Sequence, residues 1–171
     1  MKRSEVLFVA QESSYPQMGI LYLVDALRQE GFSSEIVSSD IDTIRFDHLV
    51  QIVQPAVVGM SVLTAPQVVD FERLSLFLKN KYPSIKVVWG GVHPTILTKE
   101  CLRSKYIDYV CVGQGEVVFP KLVQDIVDRT NKYPRKVDGY SPQNLDQYRP
   151  AWEKIGRLSD FIFSERHSVR S

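Results

Sequence analysis

Five short apolar runs, each followed by a stretch of helical spacing, constrain this chain more than any other feature it has. The runs are EVLFVA (5–10), SSEIVS (33–38), AVVGMS (56–61), KVVWG (86–90) and DYVCV (108–112). Each is five or six residues long and carries β-branched or aromatic side chains, which suits strands. Between them, GILYLVDALRQE (19–30) places Ile20, Leu21, Leu23, Val24 and Leu27 on one broad face and stops at Gly31. A second, shorter helix is expected over 44–53. A third, PQVVDFERLSLFLKNKY (66–82), opens on Pro66 and ends before Pro83. A fourth is expected over 98–104. The fifth, EVVFPKLVQDIVDRT (116–130), repeats Val118, Leu122 and Ile126 at four-residue spacing and tolerates Pro120 because it falls near the first turn.

Strands 1, 3, 4 and 5 are almost continuously apolar, so both faces of the sheet must be covered, as in parallel sheets with crossover helices. Right-handed crossovers then leave few topologies. The expectation is a doubly wound, Rossmann-like (flavodoxin-like) α/β domain over 1–131, with five parallel strands in the order 2-1-3-4-5. Residues 132–171 differ in character. Pro134, Pro142 and Pro150 space out Tyr133, Tyr140 and Tyr148, and the end, SERHSVRS, is polar and aperiodic. This stretch reads as an irregular C-terminal extension or linker.

At 171 residues the chain can bury a core without disulfides. Its formal net charge of +1 leaves no electrostatic footprint for nucleic acid or an anionic membrane. The first apolar run is too short for a signal-peptide core or a membrane span, so a cytoplasmic location is expected. Cys101 and Cys111 are the only cysteines and read as free buried thiols, too few to build a zinc or iron–sulfur site.

In such a sheet, ligands bind beyond the C-terminal strand ends, at the switch between strands 1 and 3. The loops there are QESSYPQMG (11–19), SVLTAPQ (61–67), GGVHPT (90–95) and VGQGE (112–116), rich in small residues and hydroxyls and poor in charge. A phosphoryl-accepting receiver needs an aspartate after strand 3, where Ser61 stands. A flavin phosphate loop after strand 1 would be interrupted by Pro16, which has no N–H to donate. A dinucleotide fingerprint belongs after strand 1, but the nearest match, GQGEVV, follows strand 5 and lacks the third glycine. A large, mostly apolar ligand remains. Gly90 and Gly91, side by side where a strand ends, leave room for it; alone they equally suit a tight turn.

Ser61-x-Leu63 after strand 3, Gly90-Gly91 after strand 4, and Gly19 and Gly31 bounding the first helix together resemble the cobalamin-binding domain family. The resemblance implies that a corrin ring lies over the strand ends and that its dimethylbenzimidazole tail is withdrawn into a cleft beside the sheet. Ser61 would then hydrogen-bond the tail's base, Leu63 would pack near it, and Gly90 and Gly91 would let the tail pass against bare backbone. Candidate cofactor contacts are Tyr15, Pro16, Gln17, Met18 and Gly19; Ser61, Val62, Leu63 and Thr64; Gly90, Gly91, Val92, His93 and Pro94; and Gly113, Gln114, Gly115 and Glu116. The family's D-x-H-x-x-G, whose histidine ligates cobalt, is replaced here. Ser14 and Pro16 stand where the aspartate and histidine belong, and proline cannot ligate a metal. His93 follows strand 4 rather than strand 1, which argues against its acting as a substitute.

That departure, with VVWGGVHPTILTKECL (87–102), IDYVCVGQGE (107–116) and NLDQYRPAWEKIG (144–156), is similar to the N-terminal domains of cobalamin-dependent radical S-adenosylmethionine enzymes, many of them methyltransferases. The likeness covers residues 5 to about 160. It implies base-off cobalamin with no protein ligand below cobalt, which favours the nucleophilic Co(I) state. It also implies a radical SAM barrel, fused or separate, that would carry S-adenosylmethionine and a [4Fe–4S] cluster. This chain lacks the barrel's C-x-x-x-C-x-x-C motif, so it is expected to be a non-catalytic cofactor module. The alternatives are a cofactor-free α/β interaction domain that docks a partner protein, and a sensor of another flat aromatic ligand.

Overall fold

The computed structural model describes residues 5–11, 17–63 and 68–154. β1 (Val6–Ala10), β2 (Ser34–Ser38), β3 (Val57–Ser61), β4 (Lys86–Gly90), β5 (Tyr109–Val112) and β6 (Lys136–Asp138) form one parallel sheet in the order β2-β1-β3-β4-β5-β6. α1 (Met18–Gln29), α2 (Thr43–Val53), α3 (Val68–Lys81), α4 (Val92–Ile96), α5 (Thr98–Arg103) and α6 (Val118–Asp128) connect them.

Strand alternation divides the core in two. Leu7, Val9, Val58, Met60, Val87, Trp89 and Val110 point toward α2, α3 and α5, where they pack with Phe46, Phe71, Leu74 and Leu78. The Trp89 indole N–H donates to Ser75 Oγ at 3.0 Å, and Ser75 Oγ lies 3.2 Å from Met60 Sδ, so the one buried hydroxyl of α3 is satisfied. On the opposite face Val6, Phe8, Val57, Val88 and Cys111 meet Ile20, Val24, Leu27, Phe119, Leu122 and Val123 of α1 and α6. Burying each such side chain stabilises the fold by roughly 1.5–3 kcal/mol.

Local chemistry sets the helix ends. Asp42 caps α2, accepting from the Ile44 and Arg45 N–H groups at 3.0 and 2.9 Å. Gly31, at φ +85°, lets the chain leave α1 in a left-handed conformation. The start expected for the third helix at Pro66 lies outside the described residues.

The five-stranded sheet is corrected to six strands. β6 is three residues long, and only Val137 in it is buried. One apolar residue gives no period, so its strand state has no signal in the sequence. Distant backbone fixes it instead: the Val110 N–H donates to Arg135 O and the Gly139 N–H to Val112 O, both at 2.7 Å. The stretch expected as a loop after β4 also contains α4, with Pro94 third in it, where no helical N–H is needed.

Beyond β6 the chain crosses back over α1. The buried Ala151 donates its N–H to Leu21 O at 3.3 Å, and the Arg149 N–H reaches Asp25 Oδ2 at 2.8 Å. Lys154 donates to Ser34 O at 2.7 Å and pairs with Glu35 at 3.3 Å, and Arg28 pairs with Glu153. Among the described residues no helix is long and apolar enough to cross a membrane.

Candidate functional site

Parallel pairing brings Ala10, Ser61 and Gly90 into one row at the C-terminal edge of the sheet, and Phe8, Gly59 and Val88 into a row two residues deeper. Both rows face α1 and α6. Between these rows and the two helices a cavity of about 220 Å³ opens. That exceeds the roughly 150 Å³ of a buried site that takes one benzene ring. Phe8, Phe119, Val88 and Met60 line its depth, Ile20 and Leu23 its α1 wall, and Ser61, Gly90, Gly91, Cys111 and the 113–116 loop its mouth.

The adjacent glycines have different reasons to be glycine. Gly91 adopts φ +96°, ψ −164°, a region open only to glycine, and a Cβ there would lie 2.9 Å from Val62 O. Its bareness serves the backbone junction at which the Val62 N–H donates to Gly90 O (2.9 Å) and the His93 N–H to Val62 O (3.0 Å). Gly90 has no such constraint. A Cβ added to it would meet only Cys111, at 3.7 Å or more, so no packing contact requires this position to be bare, and its open face lines the cavity. Gly59 is bare for packing, since its Cβ would lie 3.0 Å from the Phe8 ring and 3.3 Å from Phe119. Phe8 and Phe119 pack as a tilted pair with centroids 5.5 Å apart and close the cavity floor.

Two linkages hold the mouth. Thr95 Oγ1 donates to Gly91 O at 2.8 Å and accepts from the Gly113 N–H at 3.1 Å, tying the loop after β4 to the loop after β5. Gly139 presses so closely on that second loop that a Cβ would fall 1.9 Å from Gln114 O. The extension therefore shapes one wall of the cavity.

Of the residues singled out in the sequence, Gly19, Ser61, Gly90, Gly91, Gly113, Gln114, Gly115 and Glu116 come together around the cavity. Gln17, Met18, Val62, Leu63, Val92, His93 and Pro94 do not line it. Val62 and Pro94 are buried, whereas Met18 and Val92 are exposed at the sheet's C-terminal edge. The His93 ring packs edge-on to Trp89, 6.5 Å between centroids. Tyr15, Pro16 and Thr64 lie outside the described residues. Sequence reasoning did not mark Phe8, Ile20, Leu23, Gly59, Phe119, Thr95 or Gly139. The lone glycine inside an otherwise β-branched strand was the available signal for Gly59; the others read as ordinary core or loop.

Electrostatically the site is quiet. Burial pushes the Cys111 thiol up to about 12, so it stays neutral. Burial, with Glu100 nearby, also raises Cys101. Both thiols are free and buried. No group of three metal-ligating side chains occurs among the described residues. Ser61 Oγ has no hydrogen-bond partner among them, and Glu116 Oε2 is buried without one. Among the described residues, an apolar cleft with the Ser61 hydroxyl and the unpartnered Glu116 oxygen at its mouth fits the tail of a large cofactor that brings its own hydrogen-bonding groups.

The family model described as "B12 binding domain" matches residues 5–123. Among curated proteins, anaerobic magnesium-protoporphyrin IX monomethyl ester cyclase of Synechocystis sp. is 28% identical over 165 residues, covering 82% of this chain and 32% of the relative. The protein of that name from Rubrivivax gelatinosus is 27% identical over 115 residues, covering 64% and 20%. The chain thus spans about a third or less of the length of the curated relatives it matches. Among solved structures, the cobalamin-dependent S-adenosylmethionine radical enzyme OxsB with aqua-cobalamin bound superposes with a TM-score of 0.67 at 15% identity, covering 92% of this chain and 25% of that one. A CheY-like protein, tadZ, from Pseudomonas aeruginosa PAO1 gives 0.53 at 19% identity, covering 78% and 100%. At these identities the two structures speak for the fold.

Proposed function

This chain belongs to the B12-binding domain family, and from that premise we propose that it binds cobalamin base-off, with the nucleotide tail in the cavity between the sheet and α1/α6. The observation that carries the reading is Gly90: its backbone would accept a side chain, yet it stays bare where it faces the cavity. Ser61, free to donate, would bond the base nitrogen, while Phe8, Phe119 and Val88 would bury the ring system. A neutral hydrogen bond contributes only about 1 kcal/mol net, so most of the affinity would come from apolar burial. Met18 and Val92, exposed at the same edge of the sheet, would lie under the corrin.

No histidine of this chain ligates cobalt in this proposal. Pro16 at the family's histidine position supports it, as does the packing of His93 against Trp89 rather than along the cavity. Bound cobalamin would supply a cobalt centre able to carry a methyl group; the chain's own residues hold the tail away from the metal and keep it buried. We further propose that residues 1–131, with β6 completing the sheet and 149–154 packed on α1, form the cofactor domain, and that the chain beyond them leads toward a radical SAM barrel, fused or separate, in a methyl-transferring enzyme. The OxsB neighbour, a cobalamin-dependent S-adenosylmethionine radical enzyme, supports the radical SAM partnership; methyl transfer rests on the sequence likeness alone.

Titration with hydroxocobalamin, followed by reduction to Co(II) and electron paramagnetic resonance, tests the reading. A base-off spectrum without nitrogen hyperfine splitting from an axial ligand is expected. Ser61→Trp should abolish uptake by blocking the mouth. Axial nitrogen splitting, or full uptake by the Trp variant, would overturn the reading.

A further inference from the structure

This protein partners its buried carboxylates with care. Asp25 Oδ2 accepts from Gln29 Nε2 and from the Arg149 N–H, each at 2.8 Å. Asp125 accepts from the Thr130 hydroxyl and from the Lys132 N–H at 2.9 and 3.0 Å. Glu116 differs: the residue is half-buried, yet its Oε2 is buried and receives no hydrogen bond, and it makes no ion pair among the described residues. The obvious structural duty for a carboxylate just ahead of α6 is to cap that helix, yet no side chain caps α6. Among the described residues Glu116 is also the one carboxylate lining the cavity. An acceptor buried without a donor costs stability and is rare in native proteins. Its position on the cavity gives it a reason to persist.

Resting on the reading that the cavity takes a corrinoid tail, we propose that the Glu116 carboxylate accepts a hydrogen bond from a neutral O–H or N–H donor of the bound corrinoid and so selects which corrinoids bind well. A carboxylate oxygen accepts hydrogen bonds and has no N–H or O–H to offer. It therefore cannot serve the base's ring nitrogen, which needs a donor such as Ser61, and it repels the nucleotide's phosphate. The groups left are a ribose hydroxyl of the nucleotide and the side-chain amides of the ring. Ser61 and Glu116 then divide the polar recognition, one donating and one accepting.

The test compares wild type, Glu116→Gln and Glu116→Ala, each titrated spectrophotometrically with cobalamin and with cobinamide, which keeps the ring and its amides but has no nucleotide. Thermal unfolding of the ligand-free proteins is measured alongside. Glu116→Ala should weaken cobalamin binding about tenfold to a hundredfold, the loss expected for a hydrogen bond to a charged group. Glu116→Gln should fall between. Neither should lower the melting temperature, because no bond within the protein is lost. A defect confined to cobalamin identifies the ribose as donor; an equal defect with cobinamide identifies a ring amide. Wild-type binding with unchanged affinity in both variants overturns the proposal and leaves cobalamin binding intact. Absence of binding by wild type removes the parent reading and this one together. Parallel loss of affinity and melting temperature makes Glu116 structural, which also overturns the proposal.

Discussion

Replacing each of the paired glycines by alanine should move stability in opposite directions. Gly90 lies within β4, paired with Ser61, and an added Cβ meets nothing nearer than Cys111 at 3.7 Å. Alanine therefore fits the folded state while narrowing the unfolded one, which stabilises by about 0.4–1 kcal/mol. For a chain of this length that is roughly 1–4 °C in Tm, at 2–4 °C per kcal/mol. Gly91 is different. At φ +96°, ψ −164° an L side chain carries a conformational cost of about 1–3 kcal/mol. Its Cβ would also press to 2.9 Å from Val62 O, a backbone atom that cannot turn aside as a side chain can. Together these give about 2–4 kcal/mol of destabilisation, or roughly 4–16 °C. Thermal unfolding followed by circular dichroism at 222 nm, on wild type and both variants without ligand, measures the split. Gly90→Ala should melt at or above wild type and Gly91→Ala well below. If Gly90→Ala loses as much as Gly91→Ala, Gly90 is bare for packing, and the assignment of its open face to a ligand is wrong.

Gly139→Ala should cost about 1–3 kcal/mol by overpacking, because the added carbon overlaps Gln114 O, and it should detach β6; chemical denaturation with a midpoint equal to wild type would contradict this. Cys111 should resist alkylation in the folded protein at pH 8, where a thiol at about 12 is ionised in only about one molecule in ten thousand. Rapid labelling without denaturant would refute its burial. The folded value of Cys111 lies above that of a free thiol, so its contribution to stability is whole below about pH 8.5 and is lost as pH rises toward 12, and Cys111→Ala should flatten that alkaline loss. Asp125 has the reverse sign. The Thr130 hydroxyl and the Lys132 N–H hold its carboxyl below the usual range against the opposing effect of burial. Its contribution is whole above about pH 4 and fades as pH falls through the lowered folded value. Urea midpoints between pH 2 and 5 should therefore be flatter for Asp125→Asn than for wild type, and parallel curves would remove the assignment.

The sequence by itself determined the parallel α/β architecture, the order of its first five strands and the edge of the sheet where a ligand would sit. These follow from local periodicity, because a run such as VLFVA can be satisfied only between two covering layers, and right-handed connection then orders the strands. It also marked Ser61, Gly90 and the 113–116 loop, since small residues at strand ends are visible in one dimension. Only the tertiary structure decided that Gly91 is bare for its backbone whereas Gly90 has room for a side chain and faces the cavity, because a glycine's letter does not carry its φ or its neighbours. Only the tertiary structure made β6 a strand and set Gly139 against the 113–116 loop, through contacts with residues more than twenty positions away in the chain. Local pattern encodes which face of an element is buried; which backbone it lies against, and what space remains between, is set when the elements pack.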